Sequence, residues 1–346
     1  MQHNEQQLKD YLTKILNIPS PTGYTDKIMQ YIKEDLGSEN ILFNETNKGA
    51  LIISINGKND SYQRTFSAHV DTLGAMVKAI KNTGTLSLVP IGGFMMNSID
   101  GENCTISTLN GEDYTGTVQS IKPSVHISGD EARDLKRTPE NMEIILDERV
   151  SSKEDVEKLG INVGDIISFD TRTRITEIGF VKSRYLDDKA SVAILLFVIK
   201  YLIKHKIQLP FTTNFYISNY EEVGHGARAS LPENTKEFIA VDMGAPGLDQ
   251  NSSEYCTCIC AKDSSGPYDY NLRKKLTDLC NTNNIPYKID VYPHYSSDAS
   301  AALGSGWDIK AGLIGPGVFA SHAYERTHMD SILATVDLIL KYCVEN

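Results

Sequence analysis

The chain has 346 residues, with 34 Lys and Arg against 45 Asp and Glu for a formal net charge of −11, 40% hydrophobic residues, 25 Gly and 12 Pro. That length implies about two domains with packed cores, which excludes a disordered, collagenous or disulfide-scaffold chain. The excess of acid opposes a phosphate backbone and no Lys/Arg run overrides it, so no nucleic-acid partner is expected.

The opening segment MQHNEQQLKDYLTKIL lacks a basic region followed by an apolar core, and reads as a short amphipathic helix, not a signal peptide. Thr25 to Leu36 has apolar residues at helical spacing and is expected to stop at Gly37. Ala50 to Ile55 is strand-like, and Asn56-Gly57 predicts a hairpin into a second strand, Thr65 to Ala68. From about Leu73 to Arg174 the pattern changes to short β-like runs, Thr85 to Val89, Cys104 to Thr108, Gly116 to Ile121 and Asp165 to Phe169, broken by turn residues. This reads as a small β-rich insertion, interrupted by one helix with Ser151 and Glu154 at capping-box spacing, a body over Lys153 to Leu159 and a stop at Gly160.

Beyond the insertion, Ser191 to His205 predicts a buried helix, since apolar residues occupy most of its faces. Its most apolar window, Ala190 to Ile199, is about ten residues, against roughly 20 needed to span a bilayer, so no membrane association is expected. Phe211 to Ser218, Phe238 to Val241 and Ala311 to Ile314 are strand candidates of the same α/β sheet as the early strands, and Ile332 to Tyr342 is a closing helix. Cys256, Cys258 and Cys260 alternate as buried strand residues do and lack structural-zinc spacing. They read as packing residues in a protein of the reducing cytoplasm.

The chemistry-bearing residues cluster at strand ends. His69-Val70-Asp71 follows one strand, Asp187-Asp188 precedes the buried helix, Glu221-Glu222 follows the strand ending at Ser218, and Asp242 follows Val241. Ligands of open α/β sheets bind outside the carboxyl ends of strands, so these groups converge in one crevice. Imidazole with several carboxylates suits a pair of divalent ions, the second imidazole coming from His322 or His328. Any one acidic pair alone reads as a solvated surface or a helix cap, and Asp188 as a cap for its helix. His3 and His205 read as exposed helical residues, and His126, His225 and His294 as loop residues with structural roles favoured over substrate contact.

At these positions the chain resembles the tetrahedral (TET) aminopeptidases, which include glutamyl aminopeptidases and members formerly labelled endoglucanase or cellulase. The resemblance is carried by His69-Val70-Asp71 with Gly74, Leu186-Asp187-Asp188-Lys189-Ala190, Glu221-Glu222-Val223-Gly224, Val241-Asp242-Met243-Gly244 and His322. Pro90-Ile91-Gly92-Gly93, Gly160 to Asp165 and Ser297-Asp298-Ala299 extend it over nearly the whole chain.

The resemblance implies an α/β, mixed-sheet zinc-exopeptidase catalytic domain in two parts, residues 1–72 and 175–346, with a β-barrel or PDZ-like insertion, 73–174, used for dimerisation and assembly. It implies a cytoplasmic aminopeptidase with peptide substrates and two divalent ions, zinc or alternatively cobalt, forming dimers that build a tetrahedral dodecamer. One ion would be held by His69, Asp187 and Asp242, the other by Asp187, Glu222 and His322. Asp71 would accept a hydrogen bond from the free His69 nitrogen, and Glu221 would be the general base, the two glutamates pointing apart from extended backbone. A cis peptide between Asp187 and Asp188 is also implied. His322 keeps the spacing to the final helix better than His328 does. Thr72 and Lys189 depart from the usual Glu and Arg. A metal-dependent amidase or deacetylase, a non-catalytic peptide-binding relative and a glycoside hydrolase are the alternatives, and the first-residue preference is left open.

Overall fold

The computed structural model describes residues 5–346, and His3 lies outside them. Two units divide the chain: residues up to Asp71 with Arg172–Asn346, and Thr72–Thr171. In the first, helix Glu5–Leu16 buries Leu8, Leu12, Ile15 and Leu16, a single stripe at helical spacing. Helix Asp26–Ser38 runs through Gly37 rather than stopping there. The left-handed residue that ends it is Asn40, at φ 56°, and the Ile41 N–H closes on Leu36 O at 3.0 Å.

A nine-stranded sheet, among the described residues, forms the centre of this unit. Its four middle strands, Leu209–Ser218, Gly57–His69, Thr235–Val241 and Lys310–Pro316, lie parallel in that order. The predicted Asn56-Gly57 hairpin does not form as a pair, because Leu209–Ser218 inserts between Leu51–Ile55 and Gly57–His69, antiparallel to the first and parallel to the second. Parallel pairing buries both sheet faces, and side chains alternate between two cores. Phe215, Ile217, Ile239, Val241 and Ile314 pack with the helices. Tyr216, Phe238, Ala240, Cys260 and Leu313 pack on the other face with Ala299 and Ala302 of helix Asp298–Gly304. Helix Leu186–Lys204 is buried on nearly all sides. No helix among the described residues is long and apolar enough to cross a membrane.

The second unit closes Gly74–Ile80, Leu86–Ile91, Met142–Leu146, Asp113–Ser120, Asn103–Ser107 and Ile166–Phe169 into an antiparallel barrel, in that order. Alternating residues such as Ala75, Val77, Leu86, Leu88, Ile144 and Ile167 fill it. Its Lys153–Lys158 helix is capped by Ser152, whose side chain accepts the Asp155 N–H, one residue later than the predicted Ser151–Glu154 box. The Asp155 carboxylate reaches back to the Ser151 N–H instead. Two further short helices, Val125–Ser128 and Asp130–Asp134, join at Gly129, so His126 is helical, not in a loop.

One buried ion pair ties the parallel strands to the chain's end. Arg64 and Glu237 are register partners on neighbouring strands, with Arg64 Nε donating to Glu237 Oε2 at 3.0 Å. Arg64 also donates to Tyr342 O and Glu345 O, and the Tyr342 hydroxyl donates to Glu237 at 2.6 Å. Removing one partner strands a charge in the core. Arg64→Leu is therefore expected to lower unfolding stability by about 3–5 kcal/mol, and adding Glu237→Leu to recover part of that loss. Denaturant titration of the two variants checks this, and a double variant no more stable than the single would count against it.

Candidate metal centre

The parallel register sets the site, because His69 ends its strand opposite Ser218 while Val241 pairs with Ile314, so all the following loops leave one edge of the sheet. Gly315 allows a close approach there, since a Cβ on it would lie 1.5 Å from Asp242 O. Three segments are held in left-handed backbone by non-glycine residues: Tyr185 (φ 66°) before Asp187, Tyr220 (φ 62°) before Glu221, and His322 itself (φ 64°). Such strain collects where surrounding contacts over-determine a functional geometry. The Asp187–Asp188 peptide is cis, and both residues are non-helical at the head of their helix.

His69, Asp187 and Asp242 are buried, with one ligand atom from each within 4.8 Å of the others. His69 Nε2 is 3.4 Å from Asp187 Oδ1 and 3.6 Å from Glu221 Oε2. His322 Nε2 is 3.4 Å from Asp187 Oδ2 and 3.6 Å from Glu222 Oε2. Asp187 thus offers one oxygen to each imidazole. Two atoms each about 2.0–2.2 Å from one tetrahedral ion lie about 3.3–3.6 Å apart, so the separations fit shared ions better than direct hydrogen bonds. His69 Nε2 and Glu222 Oε1 are buried atoms with no hydrogen-bond partner among the described residues, as ligand atoms would be.

The supporting contacts differ from expectation in three ways. His69 Nδ1 donates to the Asp71 backbone carbonyl at 2.9 Å, whereas the Asp71 carboxylate stands at 3.5 Å. That carboxylate accepts instead from Thr22 Oγ1 (2.7 Å) and from the backbone N–H groups of Glu221 (3.1 Å) and Glu222 (3.3 Å). The two glutamates also sit in a turn, not in extended backbone, so it is this turn that sends their side chains to different imidazoles. Asp188 accepts the His69 N–H at 3.1 Å instead of capping its helix. His328 caps the final helix, accepting the Asp330 N–H and donating from Nε2 to Ile178 O.

Two carboxylates were given no role from the sequence, although Asp298 lies in one of the segments that carry the resemblance. Glu325, 2% exposed, accepts the Asp187 N–H at 3.1 Å on one oxygen and the His322 N–H at 3.0 Å on the other. Its only sequence signal is its place three residues after His322. Asp298 accepts the Ala227 N–H at 2.8 Å, and a Cβ on Gly226 would lie 2.2 Å from its Oδ1. His294, Tyr295 and Ser296 line a cavity of about 390 Å³ with Asp187, Glu221, Glu222, Asp242 and His322, so His294 belongs to the site.

So much buried acid cannot ionise unaided. Burial, together with Asp187, pushes Glu222 up to about 8 and Asp242 up to about 7. Burial and the Asp242, Asp298 and Glu222 charges raise Glu221 well above the carboxylate range, against the pull of His69. Burial alone would depress His69, but Asp187 and Asp71 outweigh it and hold the imidazole well above its ordinary value. Burial would raise Asp187 too, yet His322 and His69 keep it below the usual carboxylate range. The cluster holds more acid than its two imidazoles can match, a deficit of positive charge that bound cations would fill.

The sequence model of the M42 glutamyl aminopeptidase family matches residues 49–338. A Bacillus subtilis (strain 168) relative named "Putative aminopeptidase YhfE" is 50% identical over 333 residues, 96% of each chain. A TET aminopeptidase from the marine sediment archaeon Thaumarchaeota archaeon SCGC AB-539-E09 has the same fold, with a TM-score of 0.89 at 16% identity, covering 99% of this chain and 97% of that one. The Pyrococcus horikoshii TET1 peptidase, which can assemble into a tetrahedron or a large octahedral shell, gives a TM-score of 0.86 at 23% identity over 98% of this chain and 100% of its own. A mixed sheet with a six-stranded barrel insertion is the fold this chain shares with these peptidases. The chain belongs to the M42 glutamyl aminopeptidase family, and is on that ground a metallo-aminopeptidase rather than a glycoside hydrolase.

In Glu325→Gln the amide can accept only one of the two N–H groups and turns a donor toward the other. Loss of such a supporting bond typically weakens metal affinity by about 10–100-fold. Competition with a chromophoric chelator measures this, and wild-type affinity in the folded variant would remove Glu325 from the supporting set.

Proposed function

We propose that the chain is a dinuclear aminopeptidase that removes the N-terminal residue of peptides. One divalent cation is held by His69, Asp187 and Asp242, the other by Asp187, Glu222 and His322. The observation that carries this reading is the divided use of Asp187, with Oδ1 and Oδ2 each 3.4 Å from a different imidazole. Imidazole nitrogen with carboxylate oxygen suits zinc, with cobalt as the alternative. When bound, the cations lower the pKa of the attacking water and polarise the scissile carbonyl.

The chain's own residues do the rest. Glu221, anchored through its N–H to Asp71, takes a proton from the water as its oxygen adds to the carbonyl carbon. The same proton then passes from Glu221 to the leaving amine nitrogen as the C–N bond breaks. Burial beside Asp242, Asp298 and Glu222 raises Glu221 well above the carboxylate range, so it would need the positive charge of bound cations to be ionised and ready to accept that proton. Asp71 fixes the base and the neighbouring ligand together through their backbone N–H groups.

Residues 72–171 serve dimerisation, and dimers build a tetrahedral dodecamer, a reading supported by the assembly of the Pyrococcus horikoshii TET1 peptidase. Six buried free cysteines support residence in a reducing cytoplasm.

Metal analysis with a panel of aminoacyl arylamides, with and without chelator, tests the whole. Hydrolysis should vanish on chelation and return with zinc or cobalt. Glu221→Gln should keep both metals while turnover falls by roughly 10²–10⁴, since an amide cannot accept the proton. Asp187→Asn should lose metal as well as activity. Near wild-type turnover in Glu221→Gln with two bound metals would sink the mechanism.

A further inference from the structure

We propose that the cavity admits peptides whose first side chain is uncharged or cationic and discriminates against Asp and Glu there, a claim that rests on the aminopeptidase reading above. Four carboxylates line the cavity: Asp187, Glu221, Glu222 and Asp242. Behind them stand four more buried acids, Asp71, Asp188, Asp298 and Glu325, each bonded to a backbone N–H of the site's own segments. Lys48 is the ammonium that faces this group, through Asp298 and Asp71. Its Nζ is committed to the backbone carbonyls of His225 and Gly226, and it does not line the cavity.

Among the described residues no Lys or Arg lines the cavity; Met243, Tyr295, Ser296 and Ser321 complete much of its wall. The Tyr295 hydroxyl already donates to Met243 O at 3.0 Å. With cations bound, their charge is matched by the lining carboxylates, and no side-chain cation of the cavity wall is left over for a further anion. An acidic first side chain would give up its water and find no cation of the protein to pair with, which is how a site rejects a competitor by an unpaired buried charge. A substrate's α-ammonium group and a lysyl or arginyl side chain meet carboxylate oxygens on the wall and no like charge of a Lys or Arg. Specificity here thus departs from the glutamyl preference in the family's name.

The test compares kcat/KM of the metal-loaded enzyme for leucyl-, lysyl- and glutamyl-4-nitroanilide, in wild type and in the separate variants Ser296→Arg and Ser321→Arg. The glutamyl substrate should trail the leucyl one by about 10² or more in wild type, the lysyl one should not be penalised comparably, and at least one arginine variant should raise the Glu/Leu ratio at least about tenfold. Glutamyl hydrolysis within about tenfold of leucyl in wild type, or a ratio unmoved in both variants, overturns the proposal. A metal-loaded enzyme inert on all three substrates sinks the aminopeptidase reading and this one with it, an outcome distinct from a Glu-tolerant enzyme.

Discussion

Asp187 between His69 and His322 is the constraint on which the rest of the site depends. One carboxylate serving two imidazoles at 3.4 Å forces three chain segments, remote in sequence, onto a common point. Two of these segments, and the Glu221–Glu222 segment beside them, are held against their own preferences: left-handed backbone at Tyr185, Tyr220 and His322 is unfavourable for residues with a Cβ, and only dense surrounding bonds keep it. Those bonds come from carboxylates that sit behind the site: Glu325 grips the Asp187 and His322 backbones, Asp188 the His69 backbone, and Asp71 those of Glu221 and Glu222. Acid is used here twice, as ligand and as scaffold.

That double use explains the electrostatics. A buried carboxylate needs either a partner charge or several N–H donors, and the outer acids take the second route by accepting from the main chain. Burial still shifts acids of both groups upward, Asp188, Asp298 and Glu325 as well as Glu222 and Asp242, so the N–H donors offset only part of its cost. Arg64 and Glu237 are the contrast within the same unit. Away from the strand ends an acid is matched by a guanidinium, and the pair shapes the core instead of a reactive centre.

Sequence reasoning reached the site because its residues lie at strand ends, where alternating apolar runs give way to His, Asp and Glu. The helix and strand patterns of the sheet were readable for the same reason, as apolar periodicity reports burial directly. What it missed depends on through-space pairing. The Asn56-Gly57 turn was legible, but not that Leu209–Ser218 would part the two strands it joins. Glu325 and Asp298 look like ordinary polar residues in sequence, because nothing local shows which backbone N–H groups they will meet. The cap shift from Ser151 to Ser152 is subtler: both serines have an acid three residues on, and the shorter Asp155 makes the reciprocal contact.

The chain's order carries its own consequence for biosynthesis. Residues 72–171 are contiguous and have their own barrel core, so they can fold as soon as they leave the ribosome. The proposed metal-binding residues run from His69 to His322, and Glu325, which bonds the backbones of two of them, comes later still. A nascent chain therefore carries no complete centre until the segment from His322 to Glu325 has been made. Before that point the emerging peptide lacks the His322 side of the proposed centre and cannot act as a protease.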